Sequence, residues 1–311
     1  MSGSNGRRVI VVVKRSSYTR FIEEEGDPRA KALLRRRDPA VARWTEAHRE
    51  HQRTVETVLN ALEKLRARVL VIRRAHAAFD AADAGLVVVV GGDGTLLAAS
   101  HNVGATPILG VNSAPRHSVG FFCAARRSNV VGMLRRALDE ELEAITLTRM
   151  SVSVNGRVRS RRVLNEALYC HASPAATSRY ILTHGRRREV QKSSGFWLGT
   201  AAGSTAAQHS AGGRILPLRS NKLQLVVREP YTPPGTRYRL SRFVINPGET
   251  VSAVSMMQEA SMFLDGPNRE IGVGLGDVVA FSASSEPLRV LGLEDAKVDD
   301  KRRLWAEAEA G

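Results

Sequence analysis

The chain has 311 residues, enough for two domains with separate cores. Its hydrophobic share of 43% excludes wholesale disorder, and no apolar run approaches the ~20 residues of a membrane helix. The formal charge of +15 invites a nucleic-acid reading, but arginine is spread along the chain and the aromatics, at 5%, are not interleaved with basic residues as stacking platforms would be.

Residues 9–13 form a continuous apolar run, fit for a strand covered on both faces. Between residues 28 and 68 the composition turns to Ala, Leu, Glu and Arg, and Val55, Val58, Leu59, Leu62 and Leu65 recur at helical spacing. Residues 69–72 and 86–90 read as further strands, 95–100 as a helix, 107–111 as a strand and 130–143 as a helix. Strands alternating with helices predict an α/β layer around a parallel sheet.

After about residue 145 the texture changes. Residues 146–154 alternate, Asn155-Gly156 is a hairpin turn, and residues 157–164 continue the period of two. Short β-rich stretches follow at 179–183, 222–227, 238–245, 262–265 and 277–281, punctuated by Gly and Pro. Many short strands without helices between them predict an all-β, β-sandwich-like C-terminal domain. The expected domains are therefore 1–145 and 146–287, with no repeat and no low-complexity linker between them, and with loosely held ends.

The sharpest chemical signal is Gly91-Gly92-Asp93-Gly94-Thr95, directly after the strand at 86–90. Consecutive glycines let the backbone approach a ligand and accept positive φ, and the helix N-terminus that follows suits phosphate. Asp93 is placed to accept a proton from a hydroxyl nucleophile; the bland alternative makes it a helix cap. Strand 9–13 leads into Lys14-Arg15-Ser16-Ser17 rather than GxGxxG, and there is no GxxxxGK[ST] and no GxSxG. Cys123 and Cys170 read as small buried side chains. His48 and His51 lack the spacing of a zinc motif and read as part of a solvated helix face. No metal-ligating set is expected, and a cytoplasmic location follows by default from the missing signal peptide.

The GGDGT turn resembles the superfamily of NAD kinases, lipid kinases and phosphofructokinases. The choice among them comes from Thr200-Ala201-Ala202-Gly203-Ser204-Thr205-Ala206-Ala207 followed by Ser210-Ala211-Gly212-Gly213, which is similar to the TGSTAY…SAGG stretch of NAD kinases. Asn165-Glu166 matches that family's Asn-Glu pair, and Gly110-Val111-Asn112 its GxN segment. The longer GVNSAPRHSVGF stretch, the AAGSTAA variant and Leu223 to Pro230 resemble the plant NADH kinase and mitochondrial NAD kinase branch. Ser194 stands before Gly195 where most NAD kinases carry Asp.

The resemblance implies ATP-dependent phosphorylation of the adenosine ribose 2′-hydroxyl of NAD+ or NADH, with Mg2+ accompanying ATP and polyphosphate as an alternative donor. It implies Asp93 as the catalytic base. Gly91, Gly92, Gly94, Thr95, Asn112, Asn165, Glu166, Arg179, Ser194, Gly203, Ser204, Thr205, Ala206 and Ser210 would then bind the two substrates, with Asn165 offering donor and acceptor and Glu166 acceptors only. It also implies that residues 288–311 pack back on the first domain, with strand 288–291 rejoining it, and that the enzyme is a homodimer or homotetramer without nucleic-acid or membrane partners. The competing readings are a lipid kinase of the same superfamily, which leaves AGSTAA…SAGG unexplained, and a basic nucleic-acid-binding protein, which leaves GGDGT unexplained.

Overall fold

In the computed structural model, which describes residues 6–235 and 237–293, the chain divides into two units. Residues up to Ile145 and the segment from Arg289 make one, and Thr146–Leu288 the other. Residues 294–311, expected to pack back on the first domain, lie outside the described residues.

In the first unit β1 (Arg8–Val13) leads through a π-helical turn (Thr19–Glu24) into α1 (Pro28–Arg35) and α2 (Trp44–Lys64). The Asp27 carboxylate caps α1 by accepting from the Ala30 N–H at 2.9 Å, with Pro28 in the first turn. Next come β2 (Arg68–Ile72), β3 (Leu86–Gly91), α3 (Asp93–Ser100), β4 (Ile108–Asn112), β5 (Ala125–Arg126), α4 (Val130–Leu138) and β6 (Ala144–Leu147). Helix α4 stops short of the expected residue 143 because Glu140 turns left-handed, with φ of 61°.

β1 pairs in parallel with β2 and β3, and β3 in parallel with β4. Every residue of β3 is buried. Val88 and Val90 share a core with Val9 and Val11 of β1 and with Val55, Val58 and Leu62 of α2 and Leu134 of α4. Ile10, Val12, Val87 and Val89 alternate with them on the opposite face and are equally buried. The continuous apolar run thus reflects a sheet covered on both sides.

One reading of α2 is overturned. His48 and His51 are buried rather than solvated, because they continue the inward stripe of Thr54, Val55 and Val58 and meet hydroxyl partners on Ser16 and Ser113.

The second unit contains β7 (Met150–Val154), β8 (Arg157–Val163), β9 (Glu166–His171), β10 (Ser178–His184), β11 (Arg187–Ser193), β12 (Phe196–Thr200), a 3-10 turn (Ala202–Thr205) and α5 (Ala207–Ser210). β13 (Leu223–Val227), β14 (Arg242–Ile245), β15 (Thr250–Ser255), β16 (Ala260–Leu264), β17 (Glu270–Val273) and β18 (Val278–Ala283) complete it. They form two antiparallel six-stranded sheets, ordered β11-β10-β15-β18-β7-β8 and β14-β13-β12-β9-β16-β17. Phe196 lies between the sheets, with ring centroids 5.1 Å from Tyr169 on its own sheet and 5.2 and 5.9 Å from Tyr180 and Phe281 on the other. The sandwich reading therefore holds.

β19 (Leu288–Leu291) then pairs in parallel with β4, giving the first sheet the order β2-β1-β3-β4-β19-β6, with β5 on β4. The expected single strand at 146–154 is in fact two, β6 and β7. Arg149, at the break between them, is fully buried and donates to the Glu286 and Pro287 carbonyls at 2.5 and 3.2 Å. Burial, then the Arg162 charge, pushes its pKa down to about 10, with Glu286 and Asp265 opposing.

Candidate active site

At the carboxyl end of β3, Gly91 is in register with Asn112 of β4, and Gly92 is the residue before the first turn of α3. Neither glycine is there for a positive φ; both are there for space. A Cβ on Gly91 would lie 2.3 Å from the Thr95 hydroxyl, and one on Gly92 would lie 2.4 Å from the Ser118 hydroxyl. Gly94 is exposed and a Cβ there would meet nothing. The turn therefore presents the first N–H groups of α3, which have no intrahelical acceptor, on its open side.

Asp93 does not cap α3. It is the first helical residue, half-buried, and its Oδ1 accepts from the Phe122 N–H at 2.8 Å. That bond fixes the carboxylate while Oδ2 keeps its lone pairs. Asn112 is brought to the same turn, but its amide is occupied by the following loop: Nδ2 donates to the Ser118 carbonyl at 2.9 Å and Oδ1 accepts from the Ala114 N–H at 3.3 Å. The Ser113 N–H donates to the Gly91 carbonyl at 2.9 Å. Asn112 thus shapes the loop that walls the turn.

In the second unit Asn165 and Glu166 open β9. Asp265, just after β16, gathers three backbone donors: Leu164 N–H at 2.8 Å, Asn165 N–H at 2.7 Å and Glu166 N–H at 3.2 Å. Its own N–H donates back to the Glu166 carbonyl at 3.0 Å. The Asn165 carbonyl accepts from Thr200 N–H at 2.9 Å, and Gly203 packs so close that a Cβ would lie 2.4 Å from that oxygen.

With the backbone so held, the side-chain ends are left over. Asn165 Oδ1, Glu166 Oε2 and Gln208 Nε2 are buried without a protein hydrogen-bond partner, which leaves them to pair with water or a ligand. Burial first, and the Asp265 charge second, push the Glu166 carboxyl up to about 8. That shift favours the protonated carboxyl near neutral pH, a form that can donate as well as accept.

The remaining candidates divide. Ser204 is fully buried, donates to the Ala201 carbonyl at 2.7 Å and accepts from Leu216 N–H at 2.9 Å, which locks the 3-10 turn. Thr205 is buried beside it, Ala206 half-buried and Ser210 exposed. Ser194 lies between β11 and β12, its N–H donating to the Arg228 carbonyl at 3.0 Å. Arg179 stands exposed on β10, in the other sheet, opposite Lys192; it is not brought to the Asn165–Glu166 cluster. Among the described residues no group of three or more His, Cys, Asp or Glu side chains could hold a metal ion, and no helix is long and apolar enough to cross a membrane.

With this geometry in view, residues 10–142 match the ATP-NAD kinase N-terminal domain family. A protein of Oryza sativa subsp. japonica called probable NADH kinase is 31% identical, the match covering 83% of this chain and 86% of the rice protein. The chain belongs to the NAD kinase family. The NADH kinase of Arabidopsis thaliana is 29% identical over 91% of this chain and 95% of its own length. In fold, the NAD kinase of Archaeoglobus fulgidus, solved with ATP, superposes with a TM-score of 0.67 at 20% identity, covering 95% of this chain and 98% of its own. Yeast NADH kinase, solved with NADH, gives 0.68 at 13% identity, covering 96% and 86%.

Two residues of this NAD kinase family member escaped the sequence reading. Asp265 sits in an Asp-Gly-Pro turn whose composition announces only a turn. Gln208 follows the quoted AAGSTAA segment, and its Oε1 accepts from Gln224 Nε2 at 3.3 Å. A buried amide inside a small-residue stretch was the available signal.

Proposed function

We propose that this chain transfers the terminal phosphoryl group of ATP to the adenosine ribose 2′-hydroxyl of NAD+ or NADH. The observation that carries the reading is the Asp93 carboxylate: one oxygen is anchored by the Phe122 N–H, the other is open, and both sit at the first turn of a helix after a buried strand. The relatives named NADH kinase and NAD kinase support the choice of acceptor.

Asp93 accepts the hydroxyl proton as the ribose oxygen attacks phosphorus. The N–H groups at Gly92–Gly94 take phosphate oxygens, and Thr95, behind Gly91, keeps the turn closed. Mg2+ arrives with the triphosphate as part of that substrate; one carboxylate at the turn suits an ion that keeps most of its ligands from phosphate and water. Asn165, protonated Glu166 and Gln208 supply acceptor and donor groups to the dinucleotide, and Thr205, Ala206 and Ser210 line its place. Ser194 withholds an anion that would favour the cationic ring, so NADH is accepted beside NAD+. Two cysteines without a disulfide suit a cytoplasmic setting. The exposed Val69 and Leu70 on edge strand β2 suit self-association into a dimer or tetramer.

Purified protein given ATP, Mg2+ and either dinucleotide should form NADP+ or NADPH, read with an NADP(H)-specific dehydrogenase. Absence of product with both acceptors and with ATP or polyphosphate would reject the reading.

A further inference from the structure

At one edge of the sandwich an aromatic stack joins the two sheets. His184 ends β10 two residues beyond buried Leu182, on the same inward face, and its ring stacks on Phe243 of β14 with centroids 4.7 Å apart. Phe243 packs in turn against the core. Beside this stack lies a cavity of about 500 Å³, lined by His184, Arg186, Arg187, Arg239, Leu240 and Phe243 among others. None of its lining residues belongs to the set expected to touch the two substrates.

The cations around the cavity are carried on fixed backbone. Gly185, with φ of 57°, turns the hairpin in which Arg187 is the register partner of His184, and Arg186 sits at its tip. Arg239 and buried Leu240 are pinned through their N–H groups, which donate to Glu189 Oε1 and Oε2 at 2.9 and 3.0 Å. Fully buried Gln191 donates to Glu189 Oε2 at 3.0 Å and to the Leu240 carbonyl at 3.2 Å. Glu189 is thus committed to the wall's own backbone. Glu249, the one carboxylate among the lining residues, accepts from the Asn246 N–H at 2.7 Å and lies 3.2 Å from His184 Nε2. Among the described residues Arg186, Arg187 and Arg239 form no ion pair.

Three guanidinium groups around one concavity repel one another and focus a positive field into it. An anion relieves the repulsion, and planar guanidinium forks match the oxygens of phosphate in pairs. Phe243, Leu240 and the His184 ring give the same cavity an apolar wall, and its volume admits a ligand as large as a mononucleotide.

We propose that this cavity is a separate anion site, which binds a small phosphate-bearing molecule through Arg186, Arg187 and Arg239. The phosphate takes the guanidinium forks, and a sugar or ring attached to it lies against Phe243 and Leu240. The assignment is independent of the kinase reading, because binding here is measured without turnover.

The test is an amide NMR titration of the full chain, without Mg2+, with inorganic pyrophosphate, AMP and succinate, followed at the Gly185 and Leu240 N–H groups. Wild type is compared with Arg187→Gln and Arg239→Gln, and with Arg159→Gln, which removes the same charge from exposed β8. Both altered lining residues are exposed, so the fold should tolerate either change. Pyrophosphate and AMP should each shift the two amides saturably, and succinate should bind at least ~10-fold more weakly. Arg187→Gln and Arg239→Gln should each weaken the phosphates ~10-fold, with Arg159→Gln within ~2-fold of wild type. Unmoved amides with both phosphates would overturn the assignment, as would unchanged affinity in both lining variants. Succinate binding as tightly as the phosphates would overturn the ligand class. A loss in Arg159→Gln equal to that in the lining variants would reduce the effect to overall charge and remove the site.

Discussion

The two carboxylates at the centre of the account are held in opposite ways. Asp93 is half-buried, anchored through one oxygen by the Phe122 N–H, and open at the other. Glu166 has a buried oxygen with no partner and sits near a second carboxylate, Asp265, which takes the local N–H donors for itself. The proposed roles follow that difference: the open oxygen of Asp93 is assigned as the base, and the Glu166 carboxyl, raised by burial, as a donor. Environment, not residue type, sets the role.

Breaking the Asp265 staple should have the largest effect on stability. Asp265→Ala removes the acceptor of three backbone N–H groups and should destabilise the second unit by about 3 kcal/mol, read as a lower urea midpoint at unchanged slope. The same variant sharpens the comparison, because Glu166 loses a neighbouring charge and its carboxyl should titrate lower, visible by NMR of labelled glutamate. A Glu166 pKa that stays put would mean burial alone raises it.

Glu166→Gln comes next, and its effect depends on pH. The folded chain holds the Glu166 proton up to about 8, whereas the unfolded chain releases it near 4.5. The folded state thus binds the extra proton between those values, and stability is lost as pH rises through the window. Gln carries no such titration, so the variant should gain ~1–2 kcal/mol over wild type at about pH 9 and almost nothing at about pH 5. A gain of equal size at both pH values would show that packing, not ionisation, separates the two side chains.

The smallest expected change is in specificity. Restoring an anion with Ser194→Asp should shift the ratio of kcat/KM values for NAD+ over NADH by about fivefold toward NAD+, the worth of a partly exposed ion pair of ~1 kcal/mol. An unaltered ratio would remove Ser194 from the account of acceptor choice.

The sequence discloses these two carboxylates unequally, for physical reasons. Buried β3 and the GGDGT turn are legible because a strand covered on both faces must be apolar throughout, and because only glycine leaves room for Thr95 and Ser118. Asn165 and Glu166 were legible through their resemblance to a family pattern. Their supports were not, since Asp265 acts through backbone N–H groups about a hundred residues away in sequence. His48 and His51 were misplaced because helix faces are read from apolar residues, and a buried histidine satisfied by a distant serine leaves no such mark. The expected strand at 238–245 begins only at Arg242, and the one at 146–154 is divided at Arg149, whose burial depends on carbonyls far along the chain.

If Asp93 takes the ribose proton, Asp93→Asn must slow phosphoryl transfer itself, read in a single turnover at saturating ATP and dinucleotide. The expected rate is at least ~10²-fold below wild type, with dinucleotide affinity and urea midpoint nearly unchanged. A near-normal rate in that variant would remove Asp93 as the proton acceptor.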